Sequence, residues 1–315
     1  MKKFVIDQGS GRLGNQMMQL MTAKWMVGSL PDFEVYGYDM PAWQLFRPVT
    51  VGVPYCPLLV RGAAAPLDLV LRLCRLGLVK AVAMRSVCPV YHRFLPREEA
   101  QQLFQPRPDD DTEGFDETHI VIHIRAEDIL LGKAGDYGPV PFEYYRMILR
   151  ETGLKPVFVG QLANDYYSNL LKTAFPDALF VQPQTPIKDF QRIRNSKNIV
   201  LSLSTFAWLA AWLSDAQRIY MPLIGGWNPA QRPDIDLTPP DDPRFVYDLF
   251  PVRIWKASPE QIASLAHDRT FRRVTVAEID SMRRRARLKL LPKRVRKAMQ
   301  LLLYLALHLI GRGVT

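Results

Sequence analysis

Apolar positions along this chain fall into short β-branched runs separated by longer stretches of helical period. Phe4-Val5-Ile6 has the pattern of a first strand, and the glycine-rich turn Gly9 to Gly14 follows it. A helix is predicted over 15–27, with Met17, Leu20, Met21, Ala23 and Trp25 forming a mainly apolar face. Residues 31–60 are rich in proline and aromatics and read as irregular, with one strand near 34–38. From 66 to 82 a broad leucine stripe predicts a single helix that packs in the core.

Beyond the polar stretch 105–117 the alternation becomes regular. Strands are predicted at 120–124, 156–160, 179–181, 199–202 and 218–222, with helices over 142–152, 165–175, 189–195 and 205–214 between them. Strand and helix alternating at this spacing predict a parallel, doubly wound sheet, hence an α/β fold. The polar stretch is the natural boundary. It gives a first domain over 1–112, a second over 113–280 and a tail over 281–315.

The first strand of the second domain carries the most suggestive chemistry. Ile120-Val121-Ile122-His123-Ile124 ends in Arg125-Ala126-Glu127-Asp128, and open α/β sheets bind ligands just past the carboxyl ends of their strands. The planar guanidinium of Arg125 suits a pair of phosphate oxygens and stays charged at any cellular pH. The same residues also suit a plain strand-end ion pair between Arg125 and Asp128. Ser202 to Thr205 stand at another strand end where a helix begins, a place for phosphate as well as for ordinary helix capping. Near the N-terminus, Gly9-x-Gly11-x-x-Gly14 has dinucleotide-loop spacing. It lacks a Walker Gly-Lys-Ser/Thr, and no acidic residue closes a βαβ unit about twenty residues on.

Charge changes the picture at one end only. The formal net charge is +10, yet 281–315 holds ten Lys/Arg and no acidic residue, so the other 280 residues carry 31 charges of each sign. A neutral body argues against a nucleic-acid groove. The tail leads from a basic segment into Leu301–Ile310, too short an apolar run for the ~20 residues that span a bilayer. Basic residues followed by an apolar helix predict a surface-lying anchor on an anionic membrane, or a terminal helix packed on the protein. Cys56, Cys74 and Cys88 are odd in number and lack metal-ligand spacing, which predicts reduced thiols and a cytoplasmic protein. The first residues have no sustained apolar segment and read as a strand, not a signal peptide.

Three segments in order resemble one family. Gly11-Arg12-Leu13-Gly14-Asn15-Gln16-Met17-Met18-Gln19 is similar to the G-x-L-G-N-Q-x-x-Q motif of α-1,2-fucosyltransferases, glycosyltransferase family 11. His123-Ile124-Arg125-Ala126-Glu127-Asp128 resembles their H-x-R-R-x-D segment, and Ser202-Leu203-Ser204-Thr205-Phe206-Ala207-Trp208-Leu209-Ala210-Ala211-Trp212-Leu213 their S-x-S-S/T-F-S-W-W-A-A-W-L segment. The resemblance covers about residues 4 to 222.

The resemblance implies a GT-B fold, two Rossmann-like domains facing a cleft, and inverting transfer of fucose from GDP-fucose to an acceptor hydroxyl. It implies an α-1,2 linkage, and the membrane attachment expected of the tail suits a lipid-linked glycan acceptor of surface polysaccharide at the inner face of the cytoplasmic membrane. No cofactor or divalent metal is expected, in keeping with the absence of an Asp-x-Asp motif at a strand end. By motif position Arg125 would hold the β-phosphate, with Ser204, Thr205 and Phe206 lining diphosphate and sugar and His123 near the nucleotide. Arg12, Asn15 and Gln16 would approach the donor from the first domain, and Asp165 would read the guanine edge. Arg125 and Asp128 are the catalytic candidates; the general base is open among Asp128, Glu127 and Asp7, and the departing phosphate can take the proton itself. Two departures stand out: the family's second arginine is Ala126 here, and Ser-Trp-Trp becomes Ala207-Trp208-Leu209. They leave open a transferase for another GDP-sugar, or a non-catalytic nucleotide- or glycan-binding relative.

Overall fold

The computed structural model describes residues 2–6, 12–49, 58–62, 65–85 and 89–311. The chain forms two compact units, Met1–Pro96 with Arg284–Thr315, and Arg97–Arg283. Both are α/β with parallel sheets.

In the first unit β1 (Lys2–Ile6) leads to α1 (Leu13–Gly28), β2 (Phe33–Tyr36) and a small antiparallel pair, β3 (Tyr38–Met40) and β4 (Leu45–Arg47). Next come β5 (Leu58–Val60), α2 (Leu67–Arg75) and β6 (Ala81–Met84). The main sheet is parallel throughout, in the order β2-β1-β6-β5. Met17, Met18, Leu20 and Met21 of α1 are fully buried with Phe4 of β1. The single helix expected over 66–82 is not what forms. Gly77 adopts φ +71°, a backbone conformation that suits glycine and ends the helix, and Leu78 N–H bonds back to Leu73 O at 3.1 Å. Residues 81–84, the end of the leucine-rich run, instead become a central strand.

The second unit begins with α3 (Arg97–Leu103) and β7 (His119–Ile124), then α4 (Phe142–Thr152), β8 (Lys155–Gly160), α5 (Tyr166–Ala174) and β9 (Leu179–Phe180). It continues through α6 (Pro186–Arg194), β10 (Asn198–Val200), α7 (Thr205–Trp212), β11 (Arg218–Leu223), β12 (Phe245–Leu249), α8 (Pro259–Ser264) and β13 (Arg272–Val274). Local signals agree with these limits. Gly153 closes α4 at φ +68°, and α6 opens with Pro186 behind the capping side chain of Thr185. The sheet order is β13-β12-β11-β10-β7-β8-β9, parallel except for β13. Starting from β7 the chain builds outward through β8 and β9, then returns to lay β10, β11 and β12 on β7's other side. That reversal places a topological switch point between β7 and β10, where doubly wound folds open a crevice at the carboxyl ends. Beneath it, Ile120, Ile122 and Ile124 are inaccessible to solvent and pack in one core with Tyr144, Tyr145 and Phe158.

Two expected boundaries differ from the observed division. The 105–117 stretch is no linker: Phe115 N–H donates to Ser196 Oγ (3.0 Å), Lys197 N–H to Phe115 O (3.0 Å), and Asn195 Nδ2 to Thr112 O (2.8 Å). Its polar groups satisfy the entrance to β10, and the division falls at Pro96 instead. The tail is the end of one long helix, α9 (Val276–Gly311), with Pro292 inside it. Near its start Arg283 is buried, 3.0 Å from Asp236 and 2.8 Å from Thr238 Oγ1. From Arg284 onward it groups with the first unit, where Lys297 Nζ donates to Arg61 O at 3.1 Å. Cys74 is a buried free thiol whose pKa burial pushes up to about 11; Cys56 and Cys88 lie outside the described residues.

Candidate functional site

The switch point gathers the residues singled out in the second domain. β7 and β10 are neighbours in parallel register, Val121 opposite Ile199 and Ile122 opposite Val200. Their continuations, His123 to Arg125 and Leu201 to Ser204, therefore emerge side by side. A 2.7 Å hydrogen bond between His123 Nδ1 and Ser202 Oγ ties the two ends together.

His123 is buried, and burial pushes its pKa down to about 3, with the Arg125 charge acting in the same direction. The imidazole is therefore neutral at any physiological pH. Its ring lies 6.3 Å from that of Phe206, which in turn meets Phe190 edge-on at 5.3 Å. On the other side stands Gly160, at φ +111°. A Cβ there would come 2.4 Å from Ile124 O and 3.1 Å from His123 Nε2, so β8 can pass the histidine only as glycine.

Arg125 is the one cation of these strand ends. It donates to Asp128 at 2.9 Å and stacks over Tyr137 at 5.4 Å. Its Nε is buried and has no hydrogen-bond partner among the described residues. An arginine N–H left that way costs about 1–3 kcal/mol unless an acceptor meets it. The backbone after it is held deliberately: Glu127 adopts φ +49°, Gln161 Oε1 accepts from Ala126 N–H at 2.9 Å, and Gln161 Nε2 donates to Glu127 at 2.6 Å. Strain clamped by a neighbouring strand end is common where a side chain must be aimed.

α7 begins beside them. Its N-cap Ser204 is extended and makes no side-chain capping bond, so the helix start is not closed by its own hydroxyl. At the far end Arg97 Nε donates to Trp212 O at 2.9 Å, and Arg244 to the same oxygen at 3.2 Å. Both arginines also reach Ser214 O. Cations there complement the negative end of the helix dipole, while its positive end lies at the carboxyl end of β10. The helix is fully apolar from Ala207 to Trp212, and all six residues are buried. It is a fixed element, suited to presenting backbone N–H groups to an anion.

Other expected residues stand elsewhere or do other work. Asp165 caps α5, accepting from Ser168 N–H (2.8 Å) and Ser168 Oγ (2.9 Å). Arg12 is exposed at the start of α1 in the first unit, and the N–H groups of Asn15 and Gln16 bond back to its carbonyl. Asp7, Gly9 and Gly11 lie outside the described residues. Sequence reasoning missed Ser202 as the histidine's partner, Gln161 as the clamp and Tyr137 as the surface under Arg125. It also passed over Asp234-Ile235-Asp236, an Asp-x-Asp whose carboxylates are paired with Arg232 and Arg283. Among the described residues no group of three or more His, Cys, Asp or Glu side chains is placed to hold a metal ion.

No family model and no curated protein matches this chain. Among solved structures it is similar to NodZ α-1,6-fucosyltransferase soaked with GDP-fucose, at 11% identity and TM-score 0.41 over 70% of this chain and 94% of that one. It is similar to fucosyltransferase NodZ from Bradyrhizobium at 14% identity and TM-score 0.39, over 70% and 95%. It is also similar to E. coli heptosyltransferase WaaC with ADP, at 12% identity and TM-score 0.39, over 95% and 99%. Superpositions at that level do not assign a reaction, which has to come from the residues at the switch point.

Proposed function

We propose that the protein is a glycosyltransferase of the GT-B type that takes its sugar from a nucleoside diphosphate sugar bound at the crevice between β7 and β10. The observation that carries this reading is the buried Nε–H of Arg125, without a hydrogen-bond partner among the described residues, on a strand end adjacent to the one that leads into α7, whose cap Ser204 makes no side-chain capping bond. A diphosphate supplies the acceptor that this N–H lacks. The guanidinium and the dipole together stabilise the charge that develops as the diphosphate leaves. His123, held neutral, adds a polar contact for the nucleotide without adding a charge that would need its own counter-ion.

The donor we infer is GDP-fucose, on the three motif segments, and the product an α-1,2-linked fucoside. The acceptor oxygen forms its bond to the sugar's anomeric carbon as the bond to the β-phosphate oxygen breaks, with inversion. The acceptor's proton passes to Asp128 or to the departing phosphate. With Arg125 and α7 providing the electrostatic stabilisation, no divalent ion is required. A screen of GDP-fucose, GDP-mannose and UDP-sugars in the presence of EDTA tests all of this. The expected result is hydrolysis or transfer from GDP-fucose that EDTA does not reduce. Turnover of GDP-mannose alone moves the assignment to another GDP-sugar, and tight binding without turnover marks a non-catalytic relative. Loss of activity in EDTA overturns the metal-independent mechanism.

A further inference from the structure

The outer face of α9 is built for a different partner. Leu288, Leu291, Val295, Met299 and Leu302 recur at steps of three and four, the spacing of one helix face, with Pro292 and Leu303 beside them. The leucines, valine and methionine are all exposed, from 48% at Leu302 to 72% at Leu288. The opposite face is already occupied: Ala286 and Leu301 are buried, and Lys297 is bonded to Arg61 O. The stripe is therefore the side of the helix that its own unit leaves uncovered. At about 100° per residue, Arg285, Lys289 and Arg296 border it on one edge, with Arg287 and Arg294 on the other. No acidic residue occurs anywhere in 281–315.

We propose that this face of α9, Leu288 to Leu303, docks on the surface of an anionic lipid bilayer. Its apolar stripe would enter the headgroup boundary, and Arg285, Lys289 and Arg296 along its edge would pair with lipid phosphates. Charge decides the occupant. A second copy of the chain would bring two cationic borders together with no carboxylate between them. A nucleic acid would satisfy the cations but leave six aliphatic side chains in water. An anionic membrane surface satisfies both, and an apolar stripe between basic borders is the form of helices that lie in the interface plane. Among the described residues no helix is long and apolar enough to cross a membrane, so the contact is with the surface. The inference stands on α9 alone and does not depend on the transferase reading.

The test is flotation of the full chain with vesicles of phosphatidylcholine alone or with added phosphatidylglycerol, at low and high salt. Binding to the anionic vesicles is expected to exceed that to neutral ones by about tenfold or more, and to weaken in high salt. Val295→Glu with Met299→Glu is expected to reduce that binding by about tenfold while circular dichroism stays native, since both side chains are exposed. Replacing Arg285, Lys289 and Arg296 by Gln is expected to remove the preference for anionic lipid. Equal binding to neutral vesicles overturns the proposal, as does unchanged binding of the doubly acidic variant. Failure to float, together with self-association that the acidic variant abolishes, assigns the face to a second copy. Failure to float, with duplex DNA binding that the acidic variant retains, assigns it to a polyanion.

Discussion

Replacing Arg125 separates what the residue does for the fold from what it does for a ligand. Its bond to Asp128 joins a guanidinium that is 21% exposed to a carboxylate that is 50% exposed, and such pairs contribute about 0–1 kcal/mol. The stacking on Tyr137, at 5.4 Å, adds about 0.5–1 kcal/mol. Removing both therefore costs about 2 kcal/mol at most, against the roughly 5–15 kcal/mol that holds a folded domain. On the proposed function, what is also lost is a preorganised cation facing a diphosphate. Removing one such donor costs about 2.7–4 kcal/mol, or about 10²–10³ in rate. Arg125→Ala is thus expected to melt within several degrees of the parent, to bind GDP at least about tenfold more weakly, and to turn over the donor about 10²–10³ times more slowly. Arg125→Lys keeps the charge but not the planar fork, and should recover only a small part of either. Calorimetric titration with GDP needs no acceptor and reads the site even before the acceptor is known. If Arg125→Ala binds GDP within about twofold of the parent, with its fold intact, the guanidinium is an ordinary surface ion pair and the phosphate site lies elsewhere.

His123 makes stability depend on pH. In the unfolded chain it titrates near its ordinary 6.5, while in the fold it stays neutral down to about 3. The unfolded state therefore binds the extra proton across that window, and stability is complete above about 6.5 and falls as pH drops toward 3, by up to about 5 kcal/mol. Urea midpoints of His123→Asn should flatten that slope between about pH 6.5 and 4.5; an unchanged slope assigns it to other groups. Gly160→Ala would place its Cβ 2.4 Å from Ile124 O, at a φ that alanine rarely adopts. A loss of about 2–5 kcal/mol in denaturant titrations is expected, and one below about 1 kcal/mol would mean that β8 gives way easily. Ser202→Ala removes the hydroxyl bonded to a buried imidazole nitrogen. It should cost about 1–3 kcal/mol and shift the His123 ring resonances, and neither change appears if water replaces the hydroxyl without loss.

The regular half of the second unit was legible because each strand there is a buried β-branched run with its own stop. Helix 142–152 is closed by Gly153, and β7 stops at Ile124, just before the polar run from Arg125. The same reasoning failed at 66–82, where leucines suit helix and central strand alike and only the left-handed Gly77 marks the change. β12 and β13 were missed because no helix-length segment precedes either in the pattern, although β12 extends the parallel sheet and β13 closes its edge. At the site, the residues that carry charge or cap a helix were visible one by one. Ser202, Gln161 and Tyr137 were not, because each acts through a strand or loop neighbour that is remote in sequence: Ser202 bonds a residue 79 positions away and Gln161 one 35 positions away.

Ala126 shows how such remote packing changes the meaning of a motif. Read as sequence, it is an arginine lost from a paired cation. In the structure its side chain is wholly buried in the core of the second unit and its N–H is held by Gln161. A long cationic side chain at that position would have to leave this packing or carry its charge into it, and either costs several kcal/mol. The backbone here has settled around a small residue, turning at Glu127 with a positive φ that Gln161 secures. The neighbouring imidazole is kept uncharged by burial first and by Arg125 second. A single guanidinium at these strand ends is thus consistent with the packing around Ala126. On the proposed donor site, the diphosphate charge that one guanidinium leaves unmatched would fall to the N-terminus of α7, whose opposite end two arginines already secure.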